Sequence, residues 1–190
     1  MRYQQVSNYV YQFPSVLPPK LFLQGYDEFS LSNNSWMVKQ ERQRITEYDR
    51  HPYWFGIEKV RGDTLGWSNS LIDIGTSLKL IAEHTLKTKL RLGRINTNIQ
   101  AYGMESSFHK DGTDKDWTFM VFFNPTWNAE WGGDLRIQID EGDYIGFTPF
   151  PNSGILFKAD LEHKGDPPNR LCNFLRYSAA FTFFDYESPL

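Results

Sequence analysis

Phe108-His109-Lys110-Asp111, set ahead of the apolar run Phe119-Met120-Val121-Phe122-Phe123, is the stretch whose reading decides the fold. On an extended strand, residues two apart point to the same face, so His109 and Asp111 present an imidazole and a carboxylate side by side. Lys110 should point the other way. A second imidazole is available from His163, inside Ile155-Leu156-Phe157-Lys158-Ala159-Asp160-Leu161-Glu162-His163-Lys164. If the fold brings it near, two imidazoles and one carboxylate occupy one side of a metal ion and leave positions open on the other.

Working outward from this stretch, period-two patterns dominate. Strands are expected over Gly93 to Tyr102, at the His-x-Asp segment, and over Trp117 to Phe123, where Asn124-Pro125 ends the run because proline cannot extend a central ladder. Gly132-Gly133-Asp134-Leu135 reads as a glycine turn into another strand, and Ile145 to Phe150, Gly154 to Lys158, Leu161 to Lys164 and Phe174 to Phe184 complete the series. About eight short strands broken by turns imply a mainly β architecture with flanking helices, and a double-stranded β-helix (jelly-roll, cupin-like) suits them best.

Upstream, Ser68 or Asn69 can cap a helix to about Leu86, with Leu71, Ile74, Leu78, Ile81 and Ala82 on one face. Val16 to Lys20 leads into a short helix ending near Phe29, after an edge strand interrupted by Pro14, Pro18 and Pro19. Trp36 to Tyr48 has weak helical spacing, while His51 to Gly56 and Gly62 to Trp67 read as loops carrying aromatics. The expected organisation is one domain over residues 1–190, with 1–67 as an N-terminal extension and loops and 68–186 as a helix plus β-helix core.

Composition narrows the class. With 20 Lys and Arg against 23 Asp and Glu, the net charge is -3 and the cations are scattered, so no nucleic-acid footprint is expected. The single cysteine, Cys172, forbids an internal disulfide, is expected to be buried, and fits a reducing compartment. The first ten residues are polar, and no apolar run reaches the roughly 20 residues a membrane span needs. A cytoplasmic protein without membrane attachment is the expectation. The 15 Phe, 10 Tyr and 6 Trp read as sheet core.

The order Tyr102-Gly103, His109-Lys110-Asp111, Gly132-Gly133-Asp134-Leu135, Pro151 to Phe157, His163, Arg176-Tyr177-Ser178 resembles the Fe(II)- and 2-oxoglutarate-dependent dioxygenases, in particular their prolyl 4-hydroxylase-like branch. The resemblance covers about residues 68–186. It implies that His109, Asp111 and His163 ligate Fe(II) and carry catalysis. It further implies that Arg176 pairs with the distal carboxylate of 2-oxoglutarate, Ser178 and Tyr102 donating to the same group. An arginine matches a carboxylate bidentately, which a lysine does not; Arg170 is the rival anchor. The co-substrates would be 2-oxoglutarate and O2, with ascorbate as an optional reductant.

The activity so implied is hydroxylation of a C–H bond coupled to 2-oxoglutarate decarboxylation, the substrate being a prolyl or other residue in a protein or peptide. The presence of Asp111 favours hydroxylation over halogenation, for which related enzymes give up the carboxylate. Three other readings stand beside it: a hydroxylase of a free amino acid or small metabolite, a zinc hydrolase, and a non-catalytic jelly-roll binding protein. A zinc hydrolase would have no use for an arginine aimed at a dicarboxylate.

Overall fold

The computed structural model describes residues 2–30, 38–40, 53–59 and 67–185. Eleven strands are present among them: β1 (Gln4–Ser7), β2 (Val10–Phe13), β3 (Val38–Gln40), β4 (Tyr53–Lys59), β5 (Leu90–Gln100), β6 (Trp117–Phe122), β7 (Leu135–Asp140), β8 (Asp143–Phe147), β9 (Gly154–Lys158), β10 (His163–Gly165) and β11 (Arg176–Asp185). Two helices, α1 (Pro19–Ser30) and α2 (Asn69–Leu86), accompany them. The strands form an eight-stranded sheet in the order β1-β2-β9-β6-β11-β5-β4-β3, and a three-stranded sheet in the order β10-β7-β8. Every pairing is antiparallel. This is the mainly β, jelly-roll arrangement expected from the period-two pattern.

Because both faces of the large sheet are covered, its central strands are apolar on both sides, and β6 is buried at all six positions. One face packs on the helices through Phe119, Val121, Phe181 and Phe183 against Ile74, Leu78 and Ala82. The other face meets the small sheet, burying Met120, Phe122, Ile155 and Phe157 with Leu135, Ile137 and Phe147. Helix α2 starts where the sequence places it: the Ser68 side chain accepts from Leu71 N–H at 3.2 Å. It ends at Lys87, which adopts φ 57°.

Several expectations change. Tyr53–Lys59, read in part as an aromatic loop, is strand β4, paired with β5 from Phe55↔Ile99 to Lys59↔Ile95. Aromatic and β-branched residues favour an extended chain wherever a partner strand is available. Val38–Gln40 is likewise a strand despite the helical spacing; the rest of 36–48 and residues 51–52 and 62–66 lie outside the described residues. The N-terminal stretch contributes β1 and β2 to the edge of the large sheet, with Val10 and Phe13 fully buried. Cys172 is half-buried on the loop before β11, its thiol donating to Phe174 O at 3.3 Å.

Candidate metal centre

The structure brings His109, Asp111 and His163 together, one ligand atom of each lying within 4.8 Å of the others. The backbone does most of the gathering. His109 and His163 form an isolated antiparallel bridge, each N–H donating to the other's carbonyl at 3.0 Å. Asp111 N–H then donates to Ala159 O at 2.8 Å, fixing the chain two residues on. The His-x-Asp segment is therefore not the continuous strand expected, since pairing lapses after His109. Lys110 nonetheless points away from His109 and Asp111, as alternation requires, and is exposed.

Each imidazole is oriented from behind. His109 Nδ1 lies 3.0 Å from Ser107 O, and His163 Nδ1 lies 2.9 Å from Leu161 O. A carbonyl only accepts, so each Nδ1 is the protonated nitrogen toward its carbonyl and Nε2 is the nitrogen turned to the centre of the cluster. The two Nε2 atoms converge on Asp111, His163 Nε2 at 3.4 Å from Oδ2 and His109 Nε2 at 3.7 Å from Oδ1. Phe157, itself buried, seals His163 edge-on at 4.7 Å between ring centroids.

Asp111 has further partners that sequence reasoning missed. Thr118 Oγ1 donates to Oδ2 at 2.8 Å. Arg94 Nη2 lies 3.2 Å from Oδ1 and donates to the Asp111 carbonyl at 3.0 Å. Burial pushes the Asp111 carboxyl up, but His163, Arg94 and His109 outweigh it and hold the group well below the usual carboxylate range. A charged carboxylate beside two imidazole Nε2 atoms is a donor set suited to a divalent ion of iron's class.

A second cluster lies on the same inner face. Arg176 is 1% exposed. Its Nε donates to Gly133 O at 2.7 Å, and its Nη1 to Gln100 Oε1 at 2.7 Å and Ser178 Oγ at 3.0 Å. Nη2 is buried without a hydrogen-bond partner. A β-carbon on Gly165, two residues from His163, would stand 3.4 Å from both Nη atoms, so this guanidinium lies beside the β10 end that carries the triad histidine. Burial pulls it down to about 10, with Asp134 and Asp166 acting against the fall; at neutral pH it stays a cation. A permanent buried charge with an idle donor fits a carboxylate ligand. Ser178 joins this cluster as expected. Tyr102 does not: it is 66% exposed on the Ala101–Met104 turn, where nothing bonds it to Arg176 or Ser178. Arg170 is exposed as well.

Comparisons with known proteins fit this geometry. Residues 97–184 match the family model described as the 2OG-Fe(II) oxygenase superfamily. That stretch, just under half of the chain, carries the signature of the 2OG-Fe(II) oxygenases. No match is found among curated protein sequences. Among solved structures, the chain is similar to a prolyl-4-hydroxylase from Pseudomonas putida, at 16% identity, TM-score 0.69 and 94% of each chain. It is also similar to a prolyl hydroxylase from Trichoplax adhaerens in complex with a hypoxia inducible factor peptide fragment, at 16% identity, TM-score 0.71, and 94% of this chain and 84% of that one. A third similar structure is the epimerase SnoN with Fe3+, alpha ketoglutarate and nogalamycin RO, at 12% identity, TM-score 0.69, and 93% and 78% coverage. The family matched over residues 97–184 is one of 2-oxoglutarate-dependent oxygenases, whose cofactor and co-substrates are Fe(II), 2-oxoglutarate and O2, and the His109, Asp111 and His163 cluster is suited to the metal.

Proposed function

We propose that the chain hydroxylates a prolyl or other residue in a protein or peptide, with His109, Asp111 and His163 holding Fe(II) and Arg176 with Ser178 holding 2-oxoglutarate. The observation that carries the site assignment is the buried Arg176 guanidinium with one unpartnered nitrogen beside the triad-bearing strand. Bound Fe(II), 2-oxoglutarate and O2 supply an oxidation that inserts one oxygen atom into a C–H bond while 2-oxoglutarate becomes succinate and CO2. The protein's part is orientation. The Nδ1 bonds turn both Nε2 atoms to one point, Phe157 excludes water behind His163, and Gln100 and Gly133 fix the Arg176 fork so that Nη2 faces its ligand. The presence of Asp111 in the donor set favours hydroxylation over halogenation.

The peptide reading draws on the two prolyl hydroxylases among the similar structures, one of them holding a peptide. A small-molecule substrate is the second reading, favoured by the SnoN complex with nogalamycin RO. A reducing compartment such as the cytoplasm suits ferrous iron and the single free cysteine; among the described residues no helix is long and apolar enough to cross a membrane.

The test is succinate formation from 2-oxoglutarate by anaerobically prepared, Fe(II)-loaded protein, with a panel of proline-containing peptides and free amino acids. His109→Ala should abolish turnover. Arg176→Ala removes charge-assisted hydrogen bonds and should raise the 2-oxoglutarate requirement on the order of 100-fold, with little change for Arg170→Ala. Unchanged turnover in His109→Ala refutes the ligand set. Stimulation by amino acids alone would decide for the small-molecule reading.

A further inference from the structure

The carboxylate of Asp111 is held by two groups that take no direct part in the ligand set. Thr118 lies on β6 and Arg94 on β5, and both face inward. In register they flank the same residue of β11, since Thr182 pairs with Arg94 on one side and with Thr118 on the other. Thr118 is fully buried, and its hydroxyl donates to Oδ2 at 2.8 Å. Arg94 Nη2 reaches Oδ1 at 3.2 Å, the Asp111 carbonyl at 3.0 Å and Thr182 Oγ1 at 3.4 Å.

A carboxylate offers about four acceptor positions, two on each oxygen. With one position on each oxygen taken from behind, the remaining ones are those turned toward His109 and His163. Rotation about the Cβ–Cγ bond would break both contacts at once. A lone Asp side chain, by contrast, samples several rotamers, and ordering it costs free energy that a metal would otherwise have to supply.

We propose that Arg94 and Thr118 are positioning residues that lock the Asp111 carboxylate in its metal-binding orientation before the metal arrives. Each acts through Asp111. The pair explains why a strand segment that loses its pairing after His109 still presents its carboxylate at a fixed angle: the side chain is tied to β5 and β6, and the backbone to Ala159. This inference rests on the reading of Asp111 as a metal ligand.

The experiment measures binding of Co(II) alone to the full chain, followed by visible absorption, whose intensity and band position report ligand number and geometry. Thr118→Val keeps the shape and deletes the hydroxyl, and should weaken Co(II) binding by roughly 10-fold or more, within the 10–100-fold range common for groups that orient a ligand. Thr118→Ser restores the donor and should recover most of the affinity. Arg94→Met should weaken binding similarly, and Arg94→Lys should recover part of it. Each loss should come with an altered absorption band, which a general loss of stability would not produce in protein that is still folded by circular dichroism. Wild-type affinity and spectrum in both Thr118→Val and Arg94→Met would overturn the proposal. Asp111→Ala separates the two levels: if it binds Co(II) as wild type does, the ligand reading itself fails.

Discussion

A methyl group does not fit at Gly133. Its φ is +80°, and a β-carbon there would stand 2.9 Å from Trp127 Cζ2 and 3.2 Å from Arg176 Cδ. Gly133→Ala should therefore cost about 1–2 kcal/mol in backbone strain, lowering Tm by roughly 2–8 °C, and also displace the guanidinium. Gly142 gives the control: it has φ +85° with nothing within 4 Å of a β-carbon. Calorimetric titration of Mn(II)-loaded protein with 2-oxoglutarate should show weakened binding for Gly133→Ala and wild-type binding for Gly142→Ala, although both melt lower. Equal affinities would mean that Arg176 does not need that close approach. At this scale the sequence shows the triad well, because the ligand types and the i, i+2 spacing of His109 and Asp111 carry their own chemistry. It hides Arg94, Gln100 and Thr118, whose roles depend on which residue of β11 each strand sets opposite. The alternation Arg94, Asn96, Asn98, Gln100 on a strand heading for a β core was the available signal, since such a polar row needs partners inside.

Elements were legible in proportion to how local their causes are. Helix α2 is specified by its own cap and its own apolar spacing, so the expected and observed limits agree. The 53–59 segment becomes a strand because β5 pairs with it, and the His109 segment stays a single bridge because, among the described residues, it pairs with His163 alone, on the short β10; neither fact is local. The joint between α2 and β5 makes a further prediction. Glu83 accepts from Leu90 N–H at 3.0 Å and pairs with Lys79 at 3.1 Å. Burial raises its carboxyl, but Leu90 N–H, Lys79 and Lys89 prevail and leave it below the ordinary value. A depressed folded value means that its stabilising effect is complete above the unfolded value of about 4.3 and is lost as pH falls through the folded one. Glu83→Gln should lower Tm by roughly 2–4 °C at pH 7, as for a loss of about 1 kcal/mol, and the gap from wild type should close in acid. A constant gap across that range would remove charge from the account.

At the scale of the molecule, the large sheet separates two cores. Phe13 lies in the helix-side core, packed 5.1 Å from Phe119 between ring centroids, whereas the proposed metal ligands lie with the opposite core, His163 against Phe157. Phe13→Ala should cost about 3–5 kcal/mol, visible as a fall in Tm of roughly 6–20 °C. Co(II) affinity at a temperature where the variant is folded should stay within about 3-fold of wild type, because additivity holds for distant sites. A large loss of affinity would show that the sheet transmits strain between its faces. The reciprocal main-chain bonds between His109 and His163 bear on the life history of the enzyme. On the proposed ligand set, two of the three ligands are clasped by peptide hydrogen bonds in which no ion takes part, so stripping the metal should leave the fold in place, as circular dichroism of chelator-treated protein would show. Loading with iron would then be separable from folding, and chelated protein should regain its turnover when Fe(II) is returned.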